Sequence, residues 1–440
     1  MKNFNEFGIA IPEILLPKNK DLTKWSVIAC DQYTQDEDYW NNVKKCVGNN
    51  PSTLNLILPE VYLSSPDKSE RIAKIRTDMK EYLAEGVFDS PKQEFLYIER
   101  KTGYGRIRKG LIVAIDLDSY EWVPFSKAYI RATEATIVER IPPRKEIRNG
   151  APLESPHIML LVNDEKKSLV EAIGKTVKEK TPVYDSDLML DAGHITGWTV
   201  EREAEMNQVY DALNQLKKKN TSADGSTFMF AVGDGNHSLA TAKTVWEEYK
   251  KQQLENGVSL EEVNKSNVRY ALVEIVNIYD DGLTFEPIHR VMFDSDVKAL
   301  MVYVANALNG TMVAFENQEQ LEKSVKASNA DFGFVYVENG VQQYKCVKTS
   351  IKELAVSKLQ PVLDKFISEN KAVKIDYIHG SEEVFRLGAK ENACSILLPP
   401  IAKNSFFETI NSTGPLPRKS FSMGEASEKR FYLECRKLFN

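Results

Sequence analysis

Ala231-Val232-Gly233-Asp234-Gly235-Asn236-His237-Ser238-Leu239-Ala240 is the stretch on which the reading of this chain turns. The residues leading into it, Ser226-Thr227-Phe228-Met229-Phe230-Ala231-Val232, have the composition of a buried strand. Two glycines break that run, and from about His237 to Lys250 the composition becomes helical. The predicted unit is strand, glycine loop, helix. At such a junction the glycines let the backbone approach a ligand, and the helix start presents unpaired amides and a positive dipole end, a ready phosphate site. Gly233, Gly235, Asn236 and Ser238 are therefore expected to cradle phosphate. Asp234, at the carboxyl end of the strand, is placed to hold Mg²⁺ on a phosphate or to take a proton from an attacking hydroxyl. His237, in the first helical turn, is biased toward the neutral form and can donate to a phosphoryl oxygen. The plainer reading is a tight turn in which Asp234 only caps the helix.

Outward from this loop, strands alternate with helices. Ser26-Val27-Ile28-Ala29-Cys30 reads as a buried strand followed by an acidic and aromatic stretch over residues 31–40, and residues 66–83 as an amphipathic helix. Phe95-Leu96-Tyr97-Ile98 and Leu111-Ile112-Val113-Ala114-Ile115 flank the turn Thr102-Gly103-Tyr104-Gly105, a hairpin pattern. Further strands are expected at 158–162, 270–276 and 332–337, and helices at 166–180, 201–219, 297–308 and 351–368. The fold class is α/β to α+β, mixed sheets with helices, without repeats. Residues 1–90, 91–225, 226–290 and 291–440 are the expected segments, the third carrying the nucleotide-binding core. Candidate boundaries fall near Pro66, at 220–226 and in the loop 278–284, and none is a Pro- or Gly-rich linker.

Composition narrows the function. At about 150 residues per domain, 440 residues make two or three packed units. Hydrophobic content of 42% and charged content of 27% are globular values that exclude a disordered chain or a fibre. The 57 basic and 63 acidic side chains leave −6, which counts against a nucleic-acid partner. No signal-peptide pattern opens the chain and no run reaches about 18 apolar residues, so a cytoplasmic protein without membrane attachment is expected. Five scattered cysteines without a CxxC pair argue for free thiols rather than disulfides or zinc.

Two other groups of residues suit anion chemistry. Arg131, Glu134, Arg140 and Arg144 fall within fourteen residues; arginine forks fit phosphate or carboxylate, and Glu134 could orient a hydroxyl acceptor. A solvated or ion-paired strand is the plainer account. Besides His237, the histidines His157, His194, His289 and His379 each stand near the end of an apolar run, where α/β loops gather ligand-binding groups, and His289 is followed by Arg290. A packed or capping role is the alternative for each. Pro417-Arg418-Lys419-Ser420 is a third basic group.

Gly233-Asp-Gly-Asn-His237, with Arg131-Ala-Thr-Glu134, Pro287-Ile-His-Arg290 and Ile378-His-Gly380, resembles the bacterial and archaeal family called domain of unknown function 1015, whose members are often labelled ParB-like. The resemblance runs through nearly the whole chain. The Asp-Gly-x-His loop is also similar to that of the ParB and sulfiredoxin superfamily, which includes free-serine kinases. That likeness implies a loop gripping nucleotide phosphates through Asp234, Gly235 and His237. The sequence departs from it at Ser238, where an arginine is usual, and at Asn236, where histidine is frequent, so Arg131, Arg144, Arg290 or Lys243 would have to supply the charge.

Together these readings lead to a nucleotide-dependent phosphotransferase acting on a small hydroxylated metabolite, a free amino acid such as serine being favoured, with Mg²⁺ and ATP or ADP. Asp234, His237 and Glu134 are its expected catalytic residues, and Arg131, Arg144, His289 and Arg290 join the loop in binding anionic groups. The alternatives are a non-catalytic nucleotide sensor and, against the net charge, a DNA-partition protein.

Overall fold

The computed structural model describes residues 2–155 and 157–439. Helices pack with mixed sheets, as expected. The chain divides into two compact units, Met1–Leu283 with Gly424–Asn440, and Thr284–Met423. Among the described residues no helix is long and apolar enough to cross a membrane.

The first unit is built on a ten-stranded sheet: β1 (Ile9–Ala10), β2 (Phe95–Thr102), β3 (Ile107–Asp116), β4 (Tyr120–Glu121), β5 (Ile130–Ala132), β6 (Met159–Val162), β7 (Tyr184–Leu188), β8 (Gly193–Val200), β9 (Phe230–Asp234) and β10 (Tyr270–Asn277). Across the sheet they run β7-β8-β2-β3-β10-β6-β9-β5-β4, with β1 also on β3. β2 and β3 form the predicted antiparallel hairpin. β10 runs parallel to β6, β6 antiparallel to β9, and β9 parallel to β5. β6 is buried throughout and β10 from Ala271 onward, which is why both read as continuous apolar runs rather than alternating ones. The longer helices of this unit are α1 (Glu37–Val47), α2 (Lys68–Ala84), α3 (Ile141–Arg148), α4 (Val170–Val177), α5 (Glu203–Lys219) and α6 (Asn236–Glu255).

Local differences from the sequence reading have local causes. β9 begins at Phe230, not Ser226, because Thr227 bridges Thr221 and the Met229 and Phe230 amides both donate to the Tyr129 carbonyl, at 2.9 and 3.1 Å. It then continues through Gly233: Leu160 faces Val232 while Met159 faces Asp234, leaving Gly233 as the extra residue of a bulge. α4 starts only at Val170, since Asp164 accepts from the Leu169 amide at 2.8 Å and from Ser168 Oγ at 3.0 Å and holds the preceding residues in a turn. The arginine-rich segment is helical from Ile141, entered through Pro142 and Pro143 in its first turn, where a missing N–H costs nothing.

Segment 424–440 returns to the first unit and is stitched into it. Phe431–Tyr432 pairs with Val27–Ile28, and Arg436–Lys437 with Leu153–Glu154. The indole of the fully buried Trp25 donates to the Leu433 carbonyl at 2.9 Å.

The second unit carries a six-stranded sheet of β11 (His289–Phe293), β12 (Thr311–Phe315), β13 (Phe332–Glu338), β14 (Val341–Lys348), β15 (Lys374–Ile378) and β16 (Ala393–Leu397), ordered β12-β14-β13-β16-β11-β15. Its helices are α7 (Val297–Ala307), α8 (Gln318–Lys326), α9 (Ala355–Glu369), α10 (Ser381–Gly388) and α11 (Lys403–Thr413).

Two predictions follow from this packing. Gly235 has φ +81°, and a Cβ there would lie 3.0 Å from Ile158 Cγ1 and 3.2 Å from Ile158 Cα. Gly235→Ala is expected to destabilise the first unit by roughly 1–2 kcal/mol, read as a lowered midpoint in urea with an unchanged slope. Glu154 is buried beneath Arg436, whose Nε donates to it at 2.8 Å, beside Arg148 at 2.7 Å, and accepts the Leu272 amide at 3.0 Å. Burial would raise its carboxyl, but Arg436 and Arg148 outweigh burial and hold it below its ordinary value of 4.5. A depressed folded pKa gives stability that is present above the unfolded value and lost as pH falls through the folded one. Glu154→Gln should therefore flatten the acid limb of unfolding free energy below about pH 4.5 by up to ~1.4 kcal/mol per pH unit; a limb of unchanged slope would show that Glu154 binds no extra proton on unfolding.

Candidate functional site

The β9–α6 junction forms from opposed backbone demands. The bulge at Gly233 turns the strand end, Gly235 takes the left-handed conformation, and α6 starts at once, with no side-chain hydrogen bond from its N-cap. The N-cap of this 20-residue helix is a glycine and offers no side chain to the first amides. Asp234 Oδ1 accepts the Gly235 amide at 3.0 Å, and its Oδ2 lies 3.3 Å from Lys429 Nζ.

Each loop residue has a neighbour in this unit. Asn236 Oδ1 accepts the Thr133 amide at 3.3 Å, and Thr133 Oγ1 donates to the Val232 carbonyl at 2.6 Å, which ties the loop to the segment after β5. Glu134 follows Thr133 in that segment and is half-buried. His237 Nε2 accepts the Ile137 amide at 3.3 Å, so this ring nitrogen is the unprotonated one.

Ser238 leads to a second group of side chains. Its Oγ lies 3.1 Å from His157 Nε2, which is also 3.6 Å from Asp31 Oδ2. His157 Nδ1 lies 2.7 Å from the Tyr432 hydroxyl, and that hydroxyl accepts the Cys30 amide at 3.2 Å. Asp31 faces Nε2, and the tautomer that suits both neighbours carries its hydrogen there and accepts the tyrosine proton at Nδ1. In that tautomer His157 is an N–H donor toward the junction.

The carboxylates beside it are driven apart. Burial would raise Asp31, but His157, the Gln32 amide and Lys429 outweigh burial and hold it below the usual carboxylate range. Glu60 is raised, by burial first and then by Asp31, against the opposing pull of Arg144 with which it is paired. Burial, with Asp31 and Glu60, also pushes the Cys30 thiol up, so it stays protonated.

The structure thus brings together Gly233, Asp234, Gly235, Asn236, His237 and Ser238, with Glu134 on the adjoining segment and Arg144 on α3 nearby. Arg131 turns the other way: its Nε donates to the Ala128 carbonyl at 2.8 Å and its guanidinium lies 4.5 Å from the centre of the Phe228 ring, beside the start of β9. Lys243 is buried against the Leu117 carbonyl at 3.0 Å. Arg290 and His289 belong to the second unit. There Arg290 is fully buried and donates to Gln360 at 2.9 Å and to the Lys419 carbonyl at 2.9 Å. His289 accepts the Leu398 amide at 3.0 Å; burial first, then Arg290 and His379, lowers it to about 4. His194 sits between Asp187 at 2.7 Å and Asp185 at 2.5 Å on the β7–β8 pair. Among the described residues, no group of three or more His, Cys, Asp or Glu side chains is placed to hold a metal ion.

Sequence reading did not single out Asp31, Tyr432 or Lys429. Asp31 had a signal, since it directly follows an apolar run as Asp234 does. Tyr432 and Lys429 had none, because about 200 residues separate them from the loop they join.

No curated protein matches the chain. Among solved structures, a free serine kinase in complex with AMP is similar over 74% of this chain and 92% of its own, at 13% identity and a TM-score of 0.36. A conserved hypothetical protein from Pyrococcus furiosus is similar over 73% and 90%, at 12% identity and a TM-score of 0.33. SbnI with a C-terminal truncation, from Staphylococcus aureus, is similar over 71% and 83%, at 8% identity and a TM-score of 0.34. These are loose likenesses. The family match is closer: the model of DUF1015, described as a protein of unknown function, matches residues 12–366, and the chain belongs to that family.

Proposed function

We propose that the β9–α6 junction binds the phosphates of ATP or ADP and transfers a phosphoryl group to the hydroxyl of a small metabolite. The observation that supports this most is the start of α6, entered through a glycine N-cap, Gly235, and flanked by Asp234, Lys429, His157 and Asp31. Phosphoryl transfer asks for positioning and charge stabilisation rather than covalent chemistry, and these groups supply both. The α6 amides receive the phosphates, Lys429 neutralises charge, and the His157 Nε2–H donates to an oxygen that gains charge in the transition state. Asp31, kept ionised, takes the proton of the acceptor hydroxyl. The acceptor oxygen bonds to phosphorus, the bridging P–O bond of the nucleotide breaks, and the shortened nucleotide leaves with the electron pair.

Mg²⁺ on a nucleotide keeps several waters and takes only one or two protein carboxylates, so Asp234 at the end of β9 is the residue that would hold a metal carried in with the nucleotide. When bound, it would neutralise phosphate charge.

One observation favours a second reading, binding without turnover: Asp234 is already ion-paired with Lys429, and Ser238 stands where an arginine would bring charge. The two readings separate in one assay, in which the protein, Mg²⁺ and ATP or ADP are mixed with a pool of hydroxylated metabolites that includes free amino acids. Mass spectrometry is expected to find a phosphorylated product. Asp31→Asn and Asp234→Asn should each lower its formation by about 10²-fold or more while leaving the melting temperature within a few degrees. Nucleotide binding without any product would identify a sensor. Absence of nucleotide binding would end both readings.

A further inference from the structure

Beside the junction, α3 covers a cavity of about 140 Å³. Most of its wall is apolar, with Leu56, Leu58, Met79, Ile147, Leu153 and Leu438 contributing. Protein interiors leave few voids larger than a water molecule, so an apolar space of this size is room for a ligand. An engineered apolar cavity of ~150 Å³ holds benzene, which sets the ligand's body at about six carbons.

The charges in the wall decide what kind of ligand fits. Arg144 is bonded to Glu60, and Arg148 Nη1 meets Glu154 at 2.7 Å, so the two guanidiniums of the lining are matched by its two carboxylates. Just outside the wall, Arg436 shares Glu154 and Asp31 lies by His157, one more charge of each sign. Either way the sum is zero. A carboxylate or an ammonium entering this space would give up its water and gain no counter-ion, which is strongly unfavourable, whereas an uncharged molecule meets no such penalty.

The polar groups of the lining that face one another are Ser238, His157, Tyr432 and Cys30, joined in a chain of hydrogen bonds. The other hydroxyls of the wall spend their hydrogens within the protein: Tyr432 on His157 Nδ1, Ser155 on the Glu434 carbonyl at 3.0 Å, and Thr241 on the His237 carbonyl at 2.7 Å. Ser238 differs. With the imidazole hydrogen on His157 Nε2, 3.1 Å away, Ser238 Oγ accepts, and its own hydrogen is left for a ligand oxygen. Asp31 Oδ2 lies 3.6 Å from the same Nε2 and, ionised, can only accept. An oxygen that accepts from Ser238 and donates to Asp31 is a hydroxyl.

We propose that this cavity holds an uncharged alcohol with an apolar body of about six carbons, the body against Leu56, Leu58, Met79 and Leu153 and the hydroxyl beside Ser238 and Asp31. The proposal deepens the phosphotransferase reading and rests on it for one role, that of the acceptor. In that role the alcohol oxygen bonds to the terminal phosphorus of the nucleotide, its proton passes to Asp31, and the shortened nucleotide leaves with the electron pair of the broken P–O bond.

Calorimetry on the full chain tests it, first without nucleotide, with benzyl alcohol against toluene, benzoate and benzylamine. Benzyl alcohol is expected to bind, and each of the others at least tenfold more weakly. S238A should weaken benzyl alcohol at least fivefold and leave toluene unchanged, and A151L, which fills the cavity, should abolish binding of both. The proposal is overturned if benzyl alcohol does not bind, if toluene or either ion binds as tightly, or if S238A binds the alcohol as the unaltered chain does. Should A151L fail to fold, the comparison of compounds on the unaltered chain decides. ATP and Mg²⁺ are then added and benzyl phosphate is sought by mass spectrometry. Its formation supports the acceptor role, and its absence from a chain that binds both ATP and the alcohol overturns that role. Alcohol binding without ATP binding sinks only the phosphotransferase; transfer to another metabolite without alcohol binding sinks only this site.

Discussion

Arg430 lies almost wholly buried between two carboxylates that are themselves shut off from solvent. Its Nη1 is 3.2 Å from Glu274 Oε2, its Nη2 is bonded to Glu434, and Glu274 Oε1 meets Arg108 Nε at 3.3 Å. Tyr184 donates to Glu434 at 2.6 Å and Arg108 donates to the Glu428 carbonyl at 2.7 Å. Burial alone would lower Arg430; Glu434 and Glu274 outweigh it, so the guanidinium stays charged. Leaving any one of these charges without its partner would cost on the order of 3–5 kcal/mol. The backbone makes room for the network at Gly110, where a Cβ would lie only 2.4 Å from Glu274 Oε1. Segment 424–440 is therefore held to β3 and β10 by ions that have nowhere else to go.

That constraint sets the chemistry of the β9–α6 junction. Lys429 is the neighbour of Arg430, and Tyr432 follows two residues later in the short strand on Val27–Ile28. With the segment fixed, Lys429 reaches Asp234, and the Tyr432 hydroxyl, held by the Cys30 amide, reaches His157 Nδ1. The same pairing that closes the core supplies the cation the loop lacks and orients the donor beside it. Asp31 and Glu60, joined through the Glu60 amide bond to the Cys30 carbonyl at 2.8 Å, end on opposite sides of the usual carboxylate value because His157, Gln32 and Lys429 outweigh burial at Asp31, while burial and Asp31 outweigh Arg144 at Glu60.

Arginine packs at two positions where the sequence suggested anion binding. Arg290 and Arg131 each donate to carbonyl or amide oxygens within their own unit, which fits a role in packing. That role comes from neighbours in space and has no counterpart in local sequence.

What the sequence determined by itself was local. Apolar runs at 95–98, 158–162 and 270–276 marked the inner strands because strands buried on both faces tolerate little else, and Gly235 marked the turn because a left-handed residue packed on Ile158 has to lack a Cβ. The strand, loop and helix unit with Asp234, Asn236, His237 and Ser238 was legible for the same reason: its parts are adjacent in the chain. Tertiary structure alone decided that Arg131 turns toward Phe228, that Arg144 meets Glu60, and that Asp31, His157, Lys429 and Tyr432 converge on one helix start. Those partners lie tens to hundreds of residues apart, and a sheet whose strand order departs from chain order brings them together through burial and charge pairing that no short window of sequence contains.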